Sequence, residues 1–552
     1  MQTIDSGQTG LFSRVPALLT AGLKGLCLAG AVFSTATHAQ LAQNLTIGSP
    51  KAMALANAVT ADVVGMDNVH FNPAGLTKLK GRQIETKLFG GYMDIRAKFD
   101  APPGYGFFGF DADDDPVVGK TSKANTPVLF VPGFGMVDVP VLFSPMNGLS
   151  ISPPGSKFTF ANNLYAPMAL GFKRAGDDPG RFQGEEMALQ RITYLSPSVA
   201  YEINDRLSVG LSIGFSHQAM GIQQDMRTPN DLVALTGNDA IRELACGIPG
   251  VDVFVGIFLY ICSGEIGPFE PIGELTIEME ERLSPTFNLG VQWEPYDWLR
   301  LGAVYQSGAE MSLSGDFSMK YDPEFYEFIE GFTGNRGLPS IFGQALVGST
   351  SGKLNETGKA YLDMKFPQHV ALGASVDLTP KLTMNVDAKW TDWAVWDEFK
   401  IEFDRELAAM QFARILAPGQ VSAAPTYITM PRGYKSVWSW AVGMEYDYNS
   451  RLSLRAGYEN RPSAIPKDKA DVMAPLGDAQ LIGLGFGYQW DKDSVVDVGF
   501  QYMWSDQDIP AGTSCNANCD GLTDIIYNPY AGLDIKTSVR AYIFSLTYRT
   551  RF

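Results

Sequence analysis

The residues with types and spacings able to do chemistry are few in this 552-residue chain. Gly210-Leu-Ser-Ile-Gly214 matches the G-x-S-x-G pattern, in which a serine sits on a strained strand-to-helix turn beside an activating histidine. Here the flanking residues alternate as a continuous strand with small residues on one face, so the turn is missing. His70, His217 and His369 are widely separated and have no nucleophile partner. Asp111-Ala-Asp-Asp-Asp-Pro116 lacks the glycine and closing glutamate of an EF-hand loop, and reads as a solvated acidic loop. Cys246, Cys262, Cys515 and Cys519 are an even set in a chain that reads as exported, which points to disulfides between sequence neighbours, Cys246–Cys262 and Cys515–Cys519. A metal site competes with that reading, but no histidine accompanies either pair. These residues predict no enzyme, no metal and no cofactor.

Residues 1–39 read as an export signal. Arg14 and Lys24 supply positive charge, Gly25 to Ala36 is a short apolar region, and Thr37-His38-Ala39 resembles a cleavage site, with Ala36 as the alternative. Beyond it no run of 18 or more apolar residues occurs, which excludes helical membrane spans. The net charge of −17 excludes a nucleic-acid partner, since phosphate binding needs a basic surface.

The elements that position these residues are strands. Leu207, Val209, Leu211, Ile213 and Phe215 oppose Ser208, Gly210, Ser212, Gly214 and Ser216. Ile482, Leu484, Phe486, Tyr488 and Trp490 oppose Gly483, Gly485, Gly487 and Gln489. Similar runs fill 381–390 and 438–446, and in 359–378 Leu362, Met364, Phe366, Val370 and Leu372 are expected on one face, with Asp363, Lys365 and His369 on the other. Alternation of about ten residues whose apolar side ends in Trp and Tyr suits a lipid-facing wall rather than a soluble sandwich. Tight turns at 204–205, 294–297, 379–380, 448–450 and 491–493 alternate with long loops. Together they predict an all-β antiparallel transmembrane barrel of about 14 strands, at 84–100, 126–143, 157–173, 187–203, 206–221, 272–293, 298–315, 358–378, 381–402, 434–447, 451–463, 479–490, 494–507 and 538–552. The last strand closes on Tyr548 and Phe552 like the assembly signal of outer-membrane barrels, which makes the barrel assembly machinery an expected partner. The barrel is expected to be a monomer.

A barrel this wide holds an open lumen unless something fills it. Residues 40–82, ahead of the barrel at 83–552, contain a possible short helix, Ser49 to Thr60, with Ser49 as N-cap and Pro50 at its first position. A tight turn follows at Asn72-Pro-Ala-Gly75. Asn favours an Asx-turn, Pro fixes φ, and Gly75 is expected to supply a backbone conformation other residues resist.

Gly48-Ser-Pro-Lys-Ala-Met53, Phe71-Asn-Pro-Ala-Gly-Leu76, Asn163-Leu-Tyr-Ala-Pro167 and Leu195-Ser-Pro-Ser-Val-Ala-Tyr201 resemble segments of the FadL/TodX family of outer-membrane transport proteins for long-chain fatty acids and other hydrophobic compounds. The resemblance spans the chain after its export signal, apart from the long loops. It implies a fourteen-stranded barrel in a Gram-negative outer membrane, closed by an N-terminal hatch at Phe71, Asn72, Pro73, Ala74 and Gly75. It also implies a kink in the third strand opening sideways into the bilayer, for which Pro167 and Gly171 are candidates.

The implied function is passive uptake of hydrophobic compounds, long-chain fatty acids first, by loop capture, binding above the hatch and lateral release among outer-membrane lipid and lipopolysaccharide. Hydrocarbon uptake is the alternative. A lipid hydrolase and a general porin are the competitors from other classes. Phe254, Ile257, Phe258 and Leu259 form an unusually apolar loop that either captures substrate or packs its own core, and Phe325 and Phe328 are candidates for a facing wall. A carboxylate ligand needs inward cations: Lys365, Lys389, Arg300 and Arg455 are candidates, against the possibility that Asp363, Asp387 and Glu459 pair with them.

Overall fold

A computed structural model describes residues 44–140, 142–246, 266–333, 353–411, 423–424, 426–520 and 527–552. The export signal, Cys262 and the apolar loop with Phe254, Ile257, Phe258 and Leu259 lie outside the described residues.

The wall is a closed antiparallel barrel of fourteen strands, several of them in two pieces. β1 is Gly81–Asp100, and β2 is made of Thr121–Ala124 and Leu142–Ser152. β3 is Phe158–Asn163 and Tyr165–Lys173, β4 Glu186–Leu195 and Ser198–Asn204, β5 Leu207–Met226, and β6 Gly273–Tyr296. β7 is Leu299–Gln306 and Ala309–Tyr321, β8 Asn355–Phe366 and His369–Thr379, and β9 Leu382–Thr391 and Glu398–Phe403. β10 is Tyr427–Pro431 and Val437–Asp447, followed by β11 Leu452–Arg461, β12 Ala479–Gln489, β13 Ser494–Ile509 and β14 Asp534–Arg551. β1 pairs with β14 from Gln83–Arg551 to Asp100–Asp534, which closes the sheet and removes its edges.

The lower half of the wall follows the expected pattern. Ile213, Leu289, Leu372, Leu484 and Phe544 are exposed where lipid lies, while Ser212, Gly290, Ser375 and Asp387 face the lumen. In the upper half the pattern inverts: Leu275, Ile277, Met279, Met311, Leu313, Leu362, Met364 and Phe366 are buried inside. The switch occurs at irregularities, Ser307-Gly308 in β7 and Pro367-Gln368 in β8, and at a register shift between β5 and β6. The single face expected for 359–378 is therefore broken. Phe366 and His369 both point inward, and Asp363 and Lys365 point out. Above the bilayer the outside is water, so apolar side chains gain by turning into the lumen.

Residues 126–138, expected within the second strand, leave the wall after Thr126 and Pro127, which still pair with Lys173 and Phe172 of β3. The segment forms a separate hairpin, Thr126–Val131 with Gly135–Asp138. Asp115, expected in a solvated loop, is fully buried. It pairs with Arg227 (2.8 Å) and accepts the Tyr105 hydroxyl (2.6 Å). Cys515 and Cys519 are not joined to each other by a disulfide. Their loop is held instead by Asn518, which caps the Ser514 N–H (2.9 Å) and donates to the carbonyls of Pro510 and Leu533, both at 2.9 Å.

Candidate functional site

Residues 44–80 lie inside the lower barrel. Their helix is shorter than expected, Pro50–Ala54, with Pro50 at its first position and no cap bond from the Ser49 side chain. The segment runs around the lumen against inward glycines that leave no room for a Cβ: Gly499 meets Pro50, Gly483 Met53, Gly457 Leu55, Gly302 Thr60, Gly290 Asn72 and Gly210 Pro73. Close approach puts backbone polar groups within reach of the wall. Asp387 accepts the Val59 and Thr60 N–H groups at 2.9 Å and the Thr60 hydroxyl at 2.7 Å. Lys87 donates to the Ile47 carbonyl (2.7 Å) and pairs with Asp67 (2.6 Å), which also takes Asn163 (2.9 Å).

The Asn72 turn forms as its residue types dictate. Asn72 Oδ1 accepts the Ala74 N–H (3.1 Å), and Nδ2 donates to the carbonyls of Thr60 (2.7 Å) and Val291 (3.1 Å). Phe71, Asn72, Pro73, Ala74 and Gly75 are all buried. Gly75 does not have a positive φ, contrary to expectation. It is needed for space, because a Cβ there would overlap the Asn68 amide.

Above this floor is an apolar chamber lined by Met168, Met187, Leu189, Met220, Met364, Trp396 and Phe399, with Arg432 as its charged residue. Arg432 is neutralised by a buried pair with Asp471. At the chamber's foot, Arg191 and Gln218 stand opposite one another on β4 and β5, facing inward. Arg191 is buried and donates to the hydroxyls of Thr286 (2.6 Å) and Ser216 (3.3 Å), with the Phe366 ring 5.4 Å away. It pairs with no carboxylate among the described residues. Gln218 is fully buried, and neither its Oε1 nor its Nε2 has a hydrogen-bond partner among the described residues. A buried guanidinium without a counter-ion and an unsatisfied amide are both costly, and an oxyanion satisfies both.

Beside the chamber the wall has a window. β1 pairs with Leu142–Ser152 up to Gly91 and with Thr121–Ala124 from Ile95, so Tyr92 to Asp94 have no partner on that edge among the described residues. β3 breaks at Leu164, and its ladder on this side resumes only at Phe172. Two bonds from the inner segment take up part of the gap, Asn44 N–H to the Pro167 carbonyl (3.0 Å) and the Thr46 hydroxyl to that of Ala166 (2.9 Å). Leu45, Phe89, Tyr92, Pro127, Val128, Leu142, Ala169, Leu170 and Phe172 line an apolar cleft there. Leu170 lines both this cleft and the chamber.

Pro167 and Gly171 thus both border the window. Pro167 lies in the unpaired stretch, whereas Gly171 faces outward and gives room to the Val128 carbonyl. The candidate cations do not serve as expected. Lys365 faces outward with Glu310 (3.1 Å), because β8 inverts. Lys389 is paired with Glu459 (3.1 Å), and Arg300 with Asp377 (2.9 Å). Arg455 joins Glu445 and Asp497 near the turn-bearing mouth. Phe325 and Phe328 pack in the upper apolar cluster. Sequence reasoning passed over Arg191. Its signal was a lone cation alternating with Met187, Leu189 and Thr193. Gly210–Gly214 lies within β5, and Ser212 is buried against the Ser198 hydroxyl (2.8 Å), so no nucleophile elbow forms.

The chain is similar to the long-chain fatty acid transport protein of Escherichia coli O6:H1, 22% identical over 64% of this chain and 68% of that one. It is also 22% identical to outer membrane protein P1 of Haemophilus influenzae, over 84% and 85%. A crystal structure of a Pseudomonas aeruginosa FadL homologue shares the fold, with TM-score 0.63, 18% identity and coverage of 93% and 100%. The Pseudomonas putida toluene transporter TodX gives 0.55, 14%, 93% and 99%. The family described as outer membrane protein transport protein (OMPP1/FadL/TodX) matches residues 27–552, and the chain belongs to this family of outer-membrane transport barrels.

Proposed function

We propose that this barrel takes up long-chain fatty acids, holds them in the apolar chamber with the carboxylate at Arg191, and releases them sideways through the window between β1 and β3. The inner segment acts as a hatch that closes the direct route to the periplasm. The observation that carries the reading is Arg191: a buried, inward cation without a carboxylate partner among the described residues, at the foot of a methionine-lined chamber. Arginine matches a carboxylate in charge and geometry, and methionine adapts to flexible alkyl chains. The names of its relatives, long-chain fatty acid transport proteins among them, agree with this substrate class. Hydrocarbon uptake is the second reading. It is favoured by the chamber's apolar lining and by neutralisation of Arg432.

Uptake of labelled oleate and labelled toluene by cells expressing the chain or Arg191→Met separates the two. Loss of a charge-assisted bond worth roughly 1.5–3 kcal/mol should weaken oleate uptake by about tenfold or more. Toluene handling should be unchanged. Equal loss of both, or toluene uptake alone, overturns the carboxylate assignment.

A further inference from the structure

After Ala124, Thr126 and Pro127 still pair with Lys173 and Phe172 of β3. Beyond them the chain leaves the wall at the window as the hairpin Thr126–Val131 and Gly135–Asp138, and wall pairing resumes at Leu142. Strand alternation shows where this hairpin lies. On β5, Gln218, Met220 and Ile222 face the lumen, so His217, Ala219 and Gly221 face outward. Their register partners Ala188 and Gln190 on β4, and Glu278 and Glu280 on β6, share that outer face, as does Gly171 opposite Ala188. The hairpin rests on these residues. Val128 and Phe130 bury against Ala188 and Ala219. A Cβ on Gly171 would overlap the Val128 carbonyl, and one on Gly221 the Met136 side chain.

Its backbone is clasped by wall side chains. The Phe130 N–H donates to Gln190 Oε1 (3.1 Å), Met136 N–H to Glu278 (2.7 Å), and Gly133 N–H to Glu280 (3.3 Å). Lys173 ties Asp138 (3.0 Å) and Glu186 (2.9 Å) together. Small residues and hydrogen-bonding side chains on the outside of a barrel have no use to lipid. Here they make a seat.

The other face of the hairpin is apolar. Leu129 and Val131 alternate away from the wall, Phe134 at the turn is 83% exposed, and Val137 is exposed. This face continues downward into the exposed Tyr92 and Phe143 on either side of the window, and so into the lipid-facing belt. Its height is that of the bilayer edge. The outward residues of β5 are Leu211, Ile213 and Phe215 below it, and Gln223 and Asp225 above. Aromatic side chains at such an edge sit among headgroups and upper acyl carbons.

We propose that the hairpin is a lipid-docking lip. Its Leu129, Val131, Phe134 and Val137 face takes acyl chains of the outer leaflet at the mouth of the window. A solute leaving the window crosses this surface into the bilayer, a step that rests on the lateral-release reading above.

The test places benzoylphenylalanine, a photo-crosslinker, at Phe134 or Val137 of the full chain in phosphatidylcholine vesicles, with Asp111 as the loop control. A lipid adduct at 134 and 137 and none at 111 is expected. Adducts to a second copy of the chain, or no adduct, overturn the lip. In cells, Phe134→Asp with Val137→Asp should cut oleate uptake by about tenfold at equal folded protein, because charge is disfavoured at a lipid-facing surface. Phe134→Leu with Val137→Leu should not. Unchanged uptake in the aspartate variant overturns the release step. If the parent chain takes up no oleate, the transport reading fails instead, and the adducts still report on the lip.

Discussion

The side-chain oxygen of Asn72 occupies the place a Cβ would need on Gly290, and Pro73 does the same to Gly210 on the neighbouring strand. The floor turn and the wall are therefore fitted backbone to side chain. Gly290→Ala should push the turn inward and strain the Asn72 bonds to Thr60 and Val291, at a cost of about 1–3 kcal/mol. Entry of small hydrophilic solutes into cells expressing this variant should rise, while the outward Leu289→Ala should leave it unchanged. An alanine at 290 that admits no more solute would mean the turn does not seal the lumen.

His70 gives the same segment a pH dependence. Burial first, and then the neighbouring His369 and the positive charges of Arg191 and Lys87, hold its imidazole well below the usual value of 6.5, so the folded segment keeps it neutral. The unfolded segment binds a proton below about pH 6.5, and stability then falls as pH falls through that value. Amide exchange in residues 44–71 should accelerate between about pH 7.5 and 5.5 beyond the intrinsic change, by up to roughly tenfold per pH unit. His70→Gln should lose that excess. Equal behaviour of the two proteins would remove His70 as the titrating group.

The fourteen-strand wall was legible because lipid imposes one rule on every spanning strand, apolar out and small or polar in. Alternation has no absolute phase across a break, however, so the inversion at Pro367-Gln368 was hidden and Lys365 was placed inside. The same limit concealed the outer hairpin: Val128 and Phe130 alternate as wall residues do, and the pattern does not say that their buried side meets Ala188 and Ala219. The turn at Asn72 was readable from local chemistry. The importance of Arg191 was not, since it depends on its neighbours Ser216, Thr286 and Phe366 being other than carboxylates, a property of the folded lumen alone.

Lys87 and Asp67 form a buried pair that joins β1 to the inner segment, with Asn163 of β3 on the same carboxylate. Lys87→Met leaves Asp67 charged and short of partners, which should cost about 3–5 kcal/mol. The double change Lys87→Met with Asp67→Asn should recover most of it, since no buried charge is left alone. The temperature at which the folded barrel loses its compact gel mobility reads both. A double variant as weak as the single one would show that the pair acts through something other than charge compensation.

Leu170 is the shared boundary of chamber and window, so its size should set the rate of passage between them. It faces Leu189 across β3 and β4, and Met168 and Phe172 flank it on the same face. Leu170→Ala removes side-chain volume that separates the two cavities, and Leu170→Trp adds bulk to the path. Oleate uptake should rise or hold in the first and fall severalfold in the second, while oleate binding to the purified barrel changes less, because the Arg191 end of the chamber is untouched. Leu→Ala at a fully buried site costs about 2–5 kcal/mol and overpacking about 1–3 kcal/mol. Leu170 is only half-buried, so both variants should reach the membrane. If tryptophan at 170 leaves uptake intact, solutes do not leave through the β1–β3 window, and the route must run through the floor.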